Sequence, residues 1–279
     1  MLAREFRWAL QLTGADIDIE DAIAAFGVGS DPEVHRLDDR GNRLTLLTSP
    51  RLDGLDDVRE VDQVAKRLLA LVNGVLFVLD ANREPLTSGG FRERNANGRW
   101  NHHLVAEGLT IGRGRLSGIG FAILNGVAAP ATPPPGLKWA AAAQRDDTVG
   151  DVLEYLSGPP DWFNFNKAYE LMRDDINKKL GQHKQEAMGW PKKRVLDRFT
   201  CSAQVYRHSS VNWPTGYNYT TAMPLKEAAA FLHGLTNKWL RGGFHERGWL
   251  NPLCLALRQG NARRSHNVHY GKWAPWQKF

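Results

Sequence analysis

Apolar residues recur at three- and four-residue steps along several stretches of the chain, and each such stretch predicts an amphipathic helix. The first covers residues 17–26, with Ile19, Ala22, Ile23 and Phe26 on one side and Gly27 as its stop. A second, over 56–71, places Val58, Val61, Val64, Ala65, Leu68 and Leu69 on one face. Asp57, Arg59, Lys66 and Arg67 lie opposite, Asp56 or Asp57 serves as cap, and Asn73-Gly74 is the expected end. Residues 148–156 carry Val149, Val152, Leu153 and Leu156. The longest pattern begins at the capping Asp161 and runs through Trp162, Phe165, Tyr169, Met172, Ile176 and Leu180. Such a helix reaches about 30 Å, enough to cross a small domain. Residues 194–205 repeat the pattern through Val195, Leu196, Phe199 and Ala203. After Pro224, Leu225, Ala228, Ala229, Leu232, Leu235 and Trp239 mark a last helix, closed by Gly242-Gly243.

Strand signals concentrate in the first half. Residues 4–13 alternate around Phe6 and Trp8, and 43–47 follow the turn Asp39-Arg40-Gly41-Asn42. The short apolar run 75–79 and residues 104–111 and 119–124 complete the expected set. Strands interleaved with two helices predict an α+β fold, an α/β sandwich over residues 1–126 that resembles the ferredoxin-like plan, with strand order left open. Residues 127–147, with Pro130 and Pro133-Pro134-Pro135, predict a linker, because proline lacks the N–H that a helix interior or central strand needs. Residues 148–279 then form a mostly helical domain. His102-His103 between the expected strands point to opposite faces and make poor joint ligands.

Charge divides at the same place. Residues 1–130 hold 15 Lys/Arg against 18 Asp/Glu, a net −3, while residues 131–279 hold 21 against 12, a net +9. From Lys178 onward 17 cations face 4 acids. A surplus of this kind attracts polyanions through counterion release, so nucleic acid is the first expected partner and an acidic protein surface the second. No apolar run approaches the roughly 20 residues that span a bilayer, and the N-terminal residues lack the apolar core of a secretion signal, so a soluble cytoplasmic protein is expected. Cys201 and Cys254 read as two thiols of a reducing compartment. Neither has a second cysteine at zinc-site spacing, and no metal or cofactor is expected.

The candidate chemistry lies in the second half. Arg207-His208 pairs a guanidinium, which can hold a phosphate through two parallel hydrogen bonds, with an imidazole able to take a proton near neutral pH. Metal-independent RNA cleavage needs those two groups, and Trp213 and Tyr217 nearby offer stacking surfaces for unpaired bases. Lys192, Lys193 and Arg194 form a basic run suited to phosphates. A second arginine–histidine pair, Arg264 and His269, lies within Arg264-Ser265-His266-Asn267-Val268-His269, with Arg263 beside it. Through this spacing and its helical pattern, the region 148–279 resembles the HEPN helical-bundle family, whose nucleases carry an arginine and a histidine with four to six residues between them, usually paired across a dimer. The resemblance implies metal-independent endoribonuclease activity with Arg264 and His269 as catalytic residues in a homodimer. The family motif lies on a helix, whereas Gly260, Gly271 and Pro275 disfavour one here. The same residues, with Arg263 and His266, can instead bind RNA without cleaving it. A third reading is a non-enzymatic assembly subunit whose basic half docks an acidic partner.

Overall fold

The computed structural model describes residues 6–39, 41–95, 97, 100–103, 123–124, 127–128, 135–181, 185–207 and 222–242. Its first half is an antiparallel five-stranded sheet in the order β2-β3-β1-β4-β5, formed by β1 (Trp8–Thr13), β2 (Glu33–Asp39), β3 (Asn42–Thr48), β4 (Thr87–Arg94) and β5 (Trp100–His103). Helix α1 (Asp16–Ala25) joins β1 to β2. The one-turn α2 (Pro50–Asp53) and the long α3 (Val58–Leu79) join β3 to β4. The resulting βαββαβ order, extended by β5, follows the ferredoxin-like plan and supplies the strand order that the sequence left open. A two-stranded hairpin, β6 (Ile123–Leu124) and β7 (Val127–Ala128), stands apart from this sheet.

One face of the sheet contributes Trp8, Leu10, Leu12, Val34, Leu47 and Phe91 to a core shared with α1 and α3. On the other face Ala9, Leu44 and Leu46 are buried in a second, smaller cluster, against which Leu37 and Trp100 pack. The central strands therefore offer no bare aromatic platform on that side. Adjacent histidines diverge as strand geometry requires: His102 stands opposite Arg92, while His103 pairs with Phe91 and meets the Trp8 ring at 5.8 Å.

The apolar run 75–79, expected as a strand, is the last turn and a half of α3. All seven residues from Val72 to Val78 are buried, because α3 lies between the sheet and the helices of the second half. A helix covered on every side shows no polar stripe, and its sequence then looks like an inner strand. Asn73-Gly74, expected as a stop, has two other tasks. The Asn73 side chain donates to the Leu86 carbonyl and accepts from the Leu86 N–H, both at 2.9 Å, so one amide fastens the segment entering β4. Gly74 lets α5 approach α3 closely.

Five helices follow: α4 (Pro135–Arg145), α5 (Asp147–Tyr155), α6 (Trp162–Leu180), α7 (Lys193–Arg207) and α8 (Leu225–Arg241). Within the expected linker 127–147, residues 135–145 are thus helical, and Trp139, Ala140 and Ala142 are buried. Asp146 and Asp161 cap α5 and α6 by accepting from Thr148 N and Asn164 N. One apolar cluster runs without a break from Trp8 through α3 to Leu240. Among the described residues no helix is long and apolar enough to cross a membrane.

Candidate anion-binding surfaces

Of the residues the sequence singles out, Lys192, Lys193 and Arg194 are placed together, exposed, at the start of α7. Arg207 is the last residue of that helix. Its side chain, and His208, Trp213, Tyr217, Arg263, Arg264, His266 and His269, lie outside the described residues, so neither arginine–histidine pair has a geometry to report.

The start of α7 is held from behind by Trp190, which is buried and stacked on Tyr169 with ring centroids 5.8 Å apart. The Lys192 carbonyl accepts from Val195 N at 2.9 Å, the first bond of the helix. The first turn carries no acidic residue. Helix N-termini are electropositive because their N–H groups lack internal acceptors, and acids are the usual complement there. Three cations at that position add like charge to like. Lys193 is offset by Asp197 one turn on, with Nζ to Oδ2 at 2.8 Å, and this hydrogen bond raises its pKa, with a smaller Coulombic contribution from the same carboxylate. Lys192 and Arg194 have no acidic partner among the described residues. Arg198 pairs with Glu227 at 2.5 Å and ties α7 to α8. At the far end of α7, about 20 Å away at 1.5 Å per residue, Tyr206 stacks on Trp162 at 5.2 Å and 9°. Tyr206 and the neighbouring Phe163 are exposed at 43% and 50%.

A second basic site has no counterpart among the sequence candidates. Where α3 ends, a cleft of about 550 Å³ is lined by Val78, Leu79, Lys138, Trp139, His233, Gly234, Asn237 and Arg241. Its polar wall is fixed by one atom. The Val78 carbonyl, among the last four of α3 and so without a partner inside the helix, faces His233 Nε2 at 3.0 Å and accepts from Asn237 Nδ2 at 2.9 Å. The same ring nitrogen lies 3.1 Å from Asn237 Nδ2, so carbonyl, imidazole and amide form one polar cluster. Phe77 meets the same ring edge-on at 6.2 Å. The Lys138 ammonium lies 4.8 Å from the Trp139 ring centroid. Among the described residues the lining includes two cations and no acid. A signal for it did exist in the sequence: His233, Asn237 and Arg241 follow one another at steps of four, a single stripe along α8.

Among the described residues no group of three or more His, Cys, Asp or Glu is arranged to hold a metal ion. Comparison with protein-family models, with curated proteins and with solved structures found no match.

Proposed function

We propose that this chain binds nucleic acid, RNA in preference to DNA, through the basic start of α7. The observation that carries the reading is the run Lys192-Lys193-Arg194, exposed on the positive end of a helix whose first turn has no acid. For folding alone that placement is unfavourable. A phosphate there is bound by the side chains and by the unpaired backbone N–H groups together. Tyr206 at the other end of α7, partly exposed and stacked on Trp162, and Phe163 at the start of α6 add aromatic surface of the kind that accompanies a cationic track for single strands. Cleavage belongs to the same proposal as a refinement. In a HEPN-like arrangement Arg207 and His208, or Arg264 and His269, hold the phosphate and take the proton of the attacking 2′-hydroxyl without a metal.

The test is binding of a labelled single-stranded RNA across a salt series. Affinity should fall linearly in a log–log plot, by roughly 0.7 in slope for each phosphate contact. Replacing Lys192, Lys193 and Arg194 by alanine should flatten that slope by about two contacts or more. An RNA affinity indifferent to salt, or a triple variant that binds like the original, overturns the proposal. Cleavage should persist in chelator and vanish with His208→Ala or His269→Ala. Val195, 40% exposed beside these cations, favours one alternative, docking of an acidic protein. That reading predicts a stable protein complex and no RNA affinity.

A further inference from the structure

We propose that the cleft between the ends of α3 and α8 and the start of α4 is a binding site for a small amphipathic organic anion, a single carboxylate, sulfonate or phosphate group on an apolar body. Its volume, about 550 Å³, lies within the roughly 300–1,000 Å³ typical of small-molecule sites. The walls divide by chemistry. Val78, Leu79 and Trp139 form an apolar side. Lys138 and Arg241 supply positive charge, and among the described residues no carboxylate lines the cleft. His233 Nε2 and Asn237 Nδ2 lie within hydrogen-bond distance of the Val78 carbonyl and of each other, so the polar wall is ordered before a ligand arrives.

Gly234 gives an independent reason. It lies in the interior of α8, where glycine is less favourable than alanine because it loses more backbone freedom on folding. At Gly74 of α3 and at Gly136, the second residue of α4, close packing accounts for the glycine, since a β-carbon would collide with the backbone of Leu153 or Ala25. At Gly234 a β-carbon would meet nothing within 4 Å. Among the described residues no neighbour excludes a side chain there. What the glycine preserves is the open space of the cleft, beside His233 and one turn from Asn237 and Lys238.

The test uses the full chain and 8-anilinonaphthalene-1-sulfonate, an aromatic sulfonate that fluoresces when shielded from water. Saturable binding with one site per chain is expected, displaced by octanoate and not by octylamine. Arg241→Glu should weaken it at least tenfold, and Gly234→Leu should abolish it by filling the cleft. Because leucine favours the helix that glycine disfavours, Gly234→Leu should melt no lower than the original, which separates a filled site from a damaged fold. Lys192→Ala/Arg194→Ala should leave dye binding unchanged, so this site and the RNA surface fail or succeed separately. Binding that is unsaturable, or that survives both Arg241→Glu and Gly234→Leu, overturns the inference.

Discussion

Gly74 of α3 sits against Leu153 of α5 so closely that a β-carbon at residue 74 would lie 2.8 Å from both the Leu153 carbonyl carbon and its Cβ, and nearer still to its oxygen. Since backbone opposes it, no rotamer change relieves the clash. Gly74→Ala should therefore destabilise the fold by about 1–3 kcal/mol, even though alanine alone favours a helix by nearly 1 kcal/mol. The midpoint of urea unfolding measures the sign, and a variant more stable than the original would disprove the contact.

Asp175 is buried and joins three elements. Its Oδ2 accepts from the Trp239 indole N–H at 2.9 Å, and its Oδ1 meets Lys179 Nζ at 2.7 Å, which also reaches Asp146 at 3.2 Å. Asp175→Ala leaves that indole without its acceptor and should cost about 2–3 kcal/mol, a charged hydrogen bond in a dry setting. Trp239→Phe should cost less, and the two losses should be non-additive in a double-mutant cycle. Strict additivity would show that the two side chains do not interact.

The two hydrogen bonds between Asn73 and the Leu86 backbone make a sharper test, because both partners are buried. Asn73→Leu is nearly isosteric yet leaves one N–H and one C=O unsatisfied, at about 1–3 kcal/mol each. Hydrogen exchange at the Leu86 amide should accelerate by at least tenfold, and unchanged protection there would refute the assignment.

His35 on β2 gives a pH dependence. Burial lowers its pKa below the ordinary 6.5, more than the nearby Glu33 carboxylate, 3.2 Å away, raises it. The unfolded chain then binds a proton more readily than the folded one, so stability is retained above pH 6.5 and declines as the pH falls below it. His35→Gln should remove part of the stability difference between pH 7.5 and 5.5. An identical pH profile in the variant would mean that another group is responsible.

Arg194→Glu separates binding from folding. An acid at the start of α7 complements the helix dipole, so the variant should gain about a few tenths of a kcal/mol in stability while losing RNA affinity. A variant that loses both would place Arg194 in the scaffold.

Periodicity exposed the elements that face water on one side. Helix α6 was legible from its cap Asp161 and from the stripe Trp162 to Leu180, because its outer face is polar. The end of α3 was not, since layers on both sides leave Val75–Leu79 uniformly apolar. Strands β4 and β5 were also missed. Gly90, at φ 103°, lies in β4, and the pairing with β1 shifts register between Leu10 and Leu12, which breaks the alternation a strand is recognised by. Helix α4 was hidden behind a proline run whose last member begins it. Of the candidate residues, Lys192 to Arg194 could be read from a charge run alone. Of the cleft, only one wall was legible, as the stripe His233, Asn237 and Arg241 along α8, because Val78, Lys138 and Arg241 meet only through the packing of three helices.

The Val78 carbonyl is bound by His233 and Asn237, 155 and 159 positions further along the chain. On the ribosome, the flank of α3 that these residues cover must stay uncovered until α8 has been made, long after the sheet beneath it can pair. The newborn polypeptide therefore passes through a stage with a greasy central rod half wrapped. Holdase chaperones should engage that stage, and messages cut short before residue 225 should yield chains that aggregate or are degraded.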